Sequence, residues 1–552
     1  MPRAEDLAPR QVVPPTDARL PDAPAPLPRE LGKPDDDLRI EIRRFVLDPA
    51  APAALAAALP GLTSDLLGAD KGFEELATAR ARITRFLQGE LGYYLGFAYV
   101  PEQELRDGEV RIAVVEGRLD RVILRWPDRD LPVRREVVQA YLDRLQPGAV
   151  LLVRDVERVV FLVNDLRGMR ARFEVQPGRR PGTASLVVTP EPEAVWSGRA
   201  EADANGSRFL GAYRLGGLVQ MNSPFGRGDG ITANAMVSTT GGLAFGLVGY
   251  NTPLGSDGLK LGGSLSAVKY QLDKVEFPLD LNGTAITATV YGLYPVVRAR
   301  NLNLFAVGTL EHKQYEDQRA RTFRARKTVD TLVLGLTGDF RDAALGGGVN
   351  TYDATLTAGQ LRFQEGGQAN SGDAPRFTKL GFGFTRLQDL QPLAPSLQDT
   401  RSGKLLAYLS LRGQWAFDNL DTTEQFRIGG PEGVRAFAAG EGTGDSGVVA
   451  SLEARLLPPE AWFGRLSSEL VGSVFIDAGW VRYRRHPAIP ADASDIEPNT
   501  ASYSGAGIGV AWVRPGGYAL RASLSAPISG TPRSDPQQRG ARFYLQLSKL
   551  FQ

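Results

Sequence analysis

The feature that most constrains this chain is a two-residue alternation of apolar and polar side chains that recurs from Trp196 onward. In segment 405–417, one set of alternate positions includes the polar residues Ser410, Arg412 and Gln414. The other set is small or apolar: Ala407, Leu409, Leu411, Gly413, Trp415 and Phe417. A period of two is the repeat of a β-strand whose faces meet different surroundings. We therefore expect the second part of the chain to be built from strands.

Sixteen such strands can be counted, separated by Gly, Asn, Asp and Pro turns. They start near residues 196, 209, 230, 241, 259, 284, 302, 328, 353, 374, 404, 447, 467, 502, 517 and 541. Predicted lengths of roughly 9–13 residues suit antiparallel strands that cross a bilayer. Of the 62 glycines, 13 fall in residues 1–195 and 49 in residues 196–552. This excess fits small residues on the inward faces and in the turns of a barrel.

Alternation alone does not separate a membrane barrel from a soluble all-β protein such as a propeller or a double sandwich. A transmembrane helix is not expected, since no window of about 18 apolar residues exists. The first ten residues contain no apolar stretch, so no secretory signal is expected in this sequence. Aromatic residues near strand ends favour the membrane barrel, where such residues form interfacial girdles. They are Tyr250, Tyr270, Tyr294, Phe340, Trp415, Phe417 and Trp512.

Composition argues against several functional classes. Lys and Arg number 64 against 63 Asp and Glu, so the chain lacks the basic excess of a nucleic-acid-binding surface. It has no cysteine, and its two histidines, His312 and His486, lie in polar stretches and are interpreted as solvated side chains. We find no phosphate-binding loop, nucleotide fingerprint or nucleophile elbow. We expect no cofactor, no metal site and no enzymatic activity.

The first third of the chain is organised differently. Residues 1–37 contain nine prolines and are expected to form an extended, flexible segment. Residues 38–118 follow the order strand, helix, helix, strand, strand, and residues 119–192 repeat it. We predict a mixed architecture, in which two tandem α+β domains precede a sixteen-stranded antiparallel barrel in residues 193–552.

Short motifs stand near the strands of both α+β units. In the first unit they are Pro101, Gln103, Gly108, Glu116 and Gly117. In the second unit they are Glu157, Arg158, Asn164, Asp165, Pro177 and Gly178. Together they resemble the polypeptide-transport-associated (POTRA) domains of two-partner secretion transporters, the TpsB family that exports haemolysins and haemagglutinins. Arg167 stands where that family often has proline.

Two barrel motifs extend the resemblance. Residues 426–437 read FRIGGPEGVRAF and are similar to the tip of the family's sixth extracellular loop, through Arg427, Gly429, Gly430, Val434, Arg435 and Phe437. Ala436 stands where the family has glycine, so a less permissive backbone is expected there. Residues 475–479 match the motif of the thirteenth strand through Phe475, Asp477 and Gly479. The last strand matches a barrel terminal signal through Phe543, Leu545, Leu547 and Phe551.

Alternation places Asp477 on the polar, inward face of its strand, and the Gly-Gly-Pro turn at residues 429–431 predicts a tight hairpin. From the residues alone, the favoured interpretation of Arg435 and Asp477 is a solvated loop arginine and a loop-end aspartate. The family pattern favours a loop near 418–446 that folds into the lumen. There, Arg435 would pair with Asp477 and help to gate the lumen.

The resemblance implies an outer-membrane transporter of a Gram-negative bacterium, with POTRA domains in the periplasm. The POTRA domains would capture a large unfolded partner polypeptide, which would then pass through the lumen to the cell surface. The partner would be an adhesin, a haemolysin or a contact-dependent toxin. The transporter is expected to be a monomer that contacts outer-membrane lipid and no nucleic acid. A factor that inserts other barrels and a passive porin-like channel are the alternatives. The family's N-terminal plug helix is not favoured, because prolines interrupt residues 1–37.

Overall fold

The computed structural model describes residues 39–49, 51–104, 107–275, 280–319, 323–364, 372–395, 403–487, 498–514, 517–533 and 540–551. The proline-rich segment 1–37 and the question of a plug helix lie outside these residues. The described chain divides into two compact units between Glu193 and Ala194. No helix in the described part of the chain is long and apolar enough to cross a membrane.

The first unit begins with a small α+β domain. Its elements are β1 (Ile40–Ile42), β2 (Arg44–Leu47), α1 (Ala53–Thr63), β3 (Gly68–Lys71), α2 (Phe73–Gly89), β4 (Phe97–Tyr99) and β5 (Glu109–Val115). Strand β5 pairs in parallel with β2 and antiparallel with β4, while β1 and β3 form a separate pair. Helix α2 buries one stripe at helical spacing, namely Leu76, Ala79, Ile83 and Leu87. This stripe forms part of the domain core.

A second α+β domain follows with the same strand arrangement. Its elements are β6 (Arg118–Leu124), α3 (Arg135–Leu142), α4 (Val153–Asn164), β7 (Met169–Pro177) and β8 (Thr183–Pro192). Strand β8 pairs in parallel with β6 and antiparallel with β7, as β5 does with β2 and β4. The two domains are therefore structural repeats of one topology.

Backbone hydrogen bonds join the two domains. The amide of Tyr94 donates to the carbonyl of Leu151 at 2.8 Å, and the amide of Leu151 donates to Gly117 at 3.0 Å. Gly117 has a φ of +73°, and a Cβ there would lie 2.4 Å from the Cβ of Leu95. Only glycine combines this backbone conformation with so close an approach, so Gly117 lets the end of the first domain pass beside Leu95, whose side chain packs against the core of the second domain.

The second unit is a barrel. Within the described residues, sixteen antiparallel strands close on themselves, with β26 pairing to β9. The barrel strands are β9 (Trp196–Asp203), β10 (Arg214–Asn222), β11 (Gly230–Ser238), β12 (Leu243–Pro253), β13 (Lys260–Gln271), β14 (Leu281–Arg298), β15 (Leu302–Arg319), β16 (Phe323–Asp342), β17 (Gly348–Phe363), β18 (Arg376–Asp389), β19 (Lys404–Ala416), β22 (Ser446–Leu457), β23 (Leu470–Arg482), β24 (Thr500–Val513), β25 (Tyr518–Ser529) and β26 (Arg542–Phe551). Two short strands, β20 (Phe426–Arg427) and β21 (Thr443–Gly444), lie outside the barrel sheet. The predicted fold class is confirmed.

Six of the described strands are longer than the predicted lengths of roughly 9–13 residues: β18 and β24 by one residue each, and four others by three or more. Strands β14 and β15 have 18 residues each, β16 has 20 and β17 has 16. At about 3.4 Å per residue, they exceed the ~9–11 residues that a bilayer crossing needs. The prediction was wrong here because the pairing of these hairpins continues past the apolar band into charged positions such as Glu316 and Arg324, which read as loop in the sequence.

The faces of the barrel are inverted relative to a soluble protein. Large apolar side chains such as Leu310, Val474 and Ile508 are exposed on the outer surface, while Asn303 and Asp477 are buried inside. Trp415 and Phe417 are exposed, in keeping with the predicted girdle, but Tyr270 is not. Tyr270 points inward and donates a hydrogen bond to Asp317. It belongs to the inward-facing set of alternate residues on β13, and this position determines its orientation although the residue is aromatic.

Candidate gate in the barrel lumen

The connection between β19 and β22, residues 417–445, folds back into the barrel and is called the lumen loop below. Its two arms pair through β20 and β21, with Phe426 opposite Gly444 and Arg427 opposite Thr443. Ile428 and Val434 in this loop are completely buried. The loop therefore fills part of the lumen instead of extending into solvent.

The tip of the lumen loop is a compact turn. The amide of Val434 donates to the carbonyl of Ile428 at 2.7 Å, and the amide of Gly433 donates to Gly430 at 2.9 Å. Gly430 has a φ of +115°, which favours glycine. At Gly429 a Cβ would lie 2.5 Å from the carbonyl oxygen of Ala438. The two motif glycines are thus required by the shape of the tip.

Arg435 projects from this tip onto β23. Its Nε and Nη2 donate to the two carboxylate oxygens of Asp477, both at 2.9 Å, and its backbone amide donates to Oδ2 at 3.0 Å. The Asp477 side chain is 0 % exposed and that of Arg435 is 16 % exposed. The guanidinium carbon lies 3.2 Å from the ring centre of Phe475. One loop residue is therefore held by both a carboxylate and an aromatic face of the strand motif.

Two residues that the sequence analysis missed complete this contact. Ser451 Oγ donates to Asp477 at 2.7 Å and accepts from Arg435 Nη2 at 3.0 Å. Glu453 accepts from Arg435 Nη1 at 3.3 Å. Both lie at inward-facing positions of β22, on either side of the outward-facing Leu452. The alternation that placed Asp477 inside would have found them too.

Apolar packing holds the same tip against the wall. The rings of Phe437 and Tyr503 meet edge to face with centres 4.7 Å apart. Gly479 leaves room for the neighbouring side chain of Val434, because a Cβ at Gly479 would lie 2.9 Å from Cγ2 of Val434. Tyr544 donates a hydrogen bond to the carbonyl of Phe437 at 3.1 Å. The motif residues Val434, Phe437 and Gly479 therefore lie beside the Arg435 contact.

Ala436 does not carry the backbone cost expected of a replaced glycine. It is not one of the non-glycine residues with a positive φ, and it is buried. Its methyl group faces Gly505 on β24, where a Cβ would lie only 2.4 Å from the Ala436 Cβ. The methyl group at Ala436 occupies space that Gly505 leaves open on the wall.

Arg427 lies apart from the Arg435 contact. It lines a cavity of about 1070 Å³ between the lumen loop and the wall, together with Arg199, Arg214, Asn234 and Glu432. The cavity has a mixed lining, in which these charged and polar residues alternate with large apolar side chains such as Phe209, Leu243 and Phe426.

The POTRA motif residues do not converge on one site. The amide of Gln103 bonds both backbone groups of Arg111, at 2.9 and 2.7 Å. Asn164 bonds Val160 and Ala171, Glu116 pairs with Arg118 at 2.6 Å, and Gly178 and Gly108 occupy tight turns. Glu157 and Arg158 are partly buried in the middle of α4, whereas Asp165 follows the end of α4 and Pro177 ends β7. Most of these residues shape turns and strand edges.

The terminal residues face outward. Phe543, Leu547 and Phe551 are exposed on β26, and Leu545 is partly buried. Both histidines are exposed, and His312 bonds Asp330 at 2.6 Å. In the part of the chain that the structure describes, no cluster of three or more His, Cys, Asp or Glu residues is arranged for a metal ion.

Tandem POTRA-like domains, a sixteen-stranded barrel and a lumen loop that contacts the barrel wall through Arg435 are the features of a two-partner secretion transporter of the outer membrane. Residues 182–511 match the family described as haemolysin secretion/activation protein ShlB/FhaC/HecB, and residues 40–117 match a POTRA domain of the ShlB type. The chain belongs to this ShlB/FhaC/HecB family.

Relatives of the chain cover most of its length. It is 22% identical over 513 residues to the heme/hemopexin transporter protein HuxB of Haemophilus influenzae (strain 86-028NP), covering 92% of this chain and 86% of HuxB. It is 26% identical over 408 residues to the outer membrane transporter CdiB of Escherichia coli O6:K15:H31, covering 71% of this chain and 65% of CdiB.

Solved structures share the fold. CdiB from Escherichia coli superposes with a TM-score of 0.70 at 19% identity, covering 96% of this chain and 94% of CdiB. BamA from Haemophilus ducreyi, lacking POTRA domains 1–3, gives a TM-score of 0.53 at 15% identity, covering 93% of this chain and 100% of that one. These likenesses show the fold alone.

Family membership confirms the main functional expectation. The protein is an outer-membrane transporter whose POTRA domains lie in the periplasm, and it moves a partner exoprotein to the cell surface. A barrel-assembly factor and a passive porin were the alternatives. The match over residues 182–511 is to a secretion family and supports neither of them.

Proposed function

We propose that the lumen loop is the gate of this transporter and that the Arg435–Asp477 pair is its latch. The observation that carries the proposal is the three-bond contact between Arg435 and Asp477, with distances of 2.9, 2.9 and 3.0 Å. Removing Arg435 from this site would leave the buried Asp477 charge without a partner, which is strongly unfavourable. The loop tip therefore leaves the wall only when this contact is exchanged for another.

Capture of the exported chain is assigned to β7 of the second POTRA domain. An extended peptide can add to a free strand edge through main-chain hydrogen bonds, which tolerate many sequences. In the described residues, β7 pairs with β8 on one side only. Helix side chains bond backbone groups near the start of both edge strands: Gln88 and Thr84 bond Gly96 and Ala98 at β4, and Asn164 accepts from the Ala171 amide of β7. Strand β7 is the longer of the two, with 9 residues against 3.

The cargo is a large extended polypeptide, in the class of adhesins, haemolysins and contact-dependent toxins. The relative HuxB is a heme/hemopexin transporter protein. Transport by a single chain, without an added catalytic step, accounts for all the features described. The partner is to be sought as a large exoprotein encoded beside the gene for this chain.

A charge swap tests the gate. Arg435→Asp and Asp477→Arg each place like charges together, whereas the double variant restores an opposite pair. We expect each single variant to abolish export of the neighbouring exoprotein and to open the channel in planar bilayers, and the double variant to recover part of both. The barrel's heat-modifiable migration serves as the folding control. Wild-type export and conductance in both single variants would remove the latch from the mechanism.

A further inference from the structure

The base of the lumen loop is held by a second charged contact, away from the Arg435 latch. Lys327 on β16 donates to both carboxylate oxygens of Asp421 at 2.8 Å. Lys379 on β18 donates to Glu424 Oε2 at 2.8 Å, and Lys313 on β15 donates to Glu424 Oε1 at 3.2 Å. Three strands of the wall thus converge on two carboxylates of the loop.

This contact is nearly removed from solvent. The side chain of Glu424 is 1 % exposed and that of Lys313 is 5 % exposed. Lys313 also pairs with Glu311 of its own strand at 3.0 Å. Three lysines therefore face three carboxylates, so the cluster is neutral as a whole. Loss of any one charge leaves a buried partner uncompensated, which is strongly unfavourable.

The loop segment that carries the carboxylates is preorganised. The amide and hydroxyl of Thr423 donate to Asp421 Oδ1 at 2.9 and 2.6 Å, and the amide of Glu424 donates to the Asp421 carbonyl at 2.8 Å. The Glu424 carbonyl accepts from Lys379 at 2.8 Å and from Gln414 at 3.1 Å. A self-bonded turn such as this keeps both carboxylates directed at the wall.

The base and the tip are held by different chemistry. At the tip, the planar guanidinium of Arg435 matches one carboxylate with two parallel bonds, which hold in one geometry only. At the base, lysine ammonium groups act as compact charges that keep their attraction through small rotations. The base is therefore suited to remain attached while the tip turns away.

We propose that Lys313, Lys327 and Lys379 are positioning residues that clamp the loop base to β15, β16 and β18 throughout export, so that only the tip moves. This inference rests on the proposed function of the lumen loop as a gate. It divides the loop into a fixed hinge at residues 421–424 and a mobile tip around Arg435. The lysines hold the hinge and do not contact the exported chain.

Site-specific crosslinking separates the two parts, and the absence of native cysteines makes it selective. Lys327→Cys with Asp421→Cys joins the base to the wall through a short bismaleimide. Glu441→Cys with Tyr503→Cys joins the tip to β24 and leaves Arg435 and Asp477 unchanged, because Tyr503 contacts Glu441 at 3.1 Å. We expect export of the neighbouring exoprotein to persist when the base is joined and to stop when the tip is joined. The same variants with blocked thiols are the matched controls.

Each outcome bears on a different proposal. If joining the base stops export as completely as joining the tip, the fixed hinge is wrong and the gate remains. If joining the tip leaves export unchanged, the gate itself is wrong. Folding of every variant is checked by heat-modifiable migration of the barrel. This check can be made with or without the crosslink.

Single-channel recordings in potassium chloride supply a second, crosslink-free test. When Lys327→Gln and Lys379→Gln are added to Arg435→Ala, we expect the mean open time to rise about tenfold or more over Arg435→Ala alone, because a loop that has lost both its latch and its clamp leaves the lumen entirely. Lys269→Gln added to Arg435→Ala is the matched control, since Lys269 is exposed on β13. Open times equal to those of the control would overturn the clamp.

Discussion

Arg435 and Asp477 are 42 positions apart in the chain, yet their contact links the tip of the lumen loop to strand β23 by three hydrogen bonds. The contact uses the backbone amide of Arg435 as well as its guanidinium, so it sets the position of the main chain and not only of the side chain. The Asp477 side chain is 0 % exposed, so displacement of the loop tip would leave a buried carboxylate without its cation.

Arg435→Lys keeps the charge and removes the bidentate fork. We expect the closed state to lose ~2 kcal/mol, which corresponds to a roughly 30-fold higher ratio of open to closed channels. The measurement is open probability in planar bilayers. Arg455→Lys is the control, because Arg455 bonds the same Glu453 at 3.0 Å from within β22. Equal open probabilities for the two variants would mean that the fork has no role in closure.

The close approach of Ala436 to Gly505 predicts a compensating pair. Gly505→Ala would place two methyl groups 2.4 Å apart, so we expect the loop tip to be displaced and the channel to open more often. Ala436→Gly in the same chain should restore closure in part, because a 3.0 Å contact with the Ala526 carbonyl remains. Gly472→Ala on β23 is the control, since its Cβ meets nothing within 4 Å. No recovery in the double variant would contradict the argument.

The sequence was sufficient for the barrel and for the strand side of the gate, because both depend on alternation. Alternation along the strand placed Asp477 inside the barrel, and the same pattern also places Ser451 and Glu453 inside. It failed for β14–β17, whose pairing continues through charged residues. The number of strands and the face to which each side chain points are local properties of the sequence. Strand length instead depends on how far the neighbouring strand continues to pair.

The lysine clamp was beyond such reasoning. Lys313 and Glu424 are 111 positions apart, and Lys327 and Asp421 are 94 apart. The two-residue alternation shows that a lysine faces the lumen, but only the folded path of the loop shows which carboxylate it contacts. The Ala436–Gly505 contact was missed for the same reason, since the loop and the wall are separate in sequence. Sequence reasoning thus located the family motifs and not their long-range partners.

The free edge of β7 predicts where the exported chain is captured. A photo-crosslinking residue at Glu174, exposed on β7, should capture the neighbouring exoprotein during export because an added strand would lie beside it. The same residue at Glu136, exposed on α3 of the same domain, should not. The measurement is the yield of crosslinked product on denaturing gels. Equal yields at the two positions would argue against capture at this edge.

The junction of the two POTRA domains predicts a stability effect at Gly117. Gly117→Ala would combine a positive φ with a 2.4 Å approach to Leu95, so we expect a loss of about 1–3 kcal/mol in the periplasmic unit. Gly148→Ala is the matched control, because its φ is +86° but its Cβ would meet nothing within 4 Å. The difference between the two variants isolates the packing contribution at the junction. Protease cleavage between the domains, followed against temperature in the full chain, should begin at a lower temperature for Gly117→Ala; identical cleavage curves would show that the junction does not need this glycine.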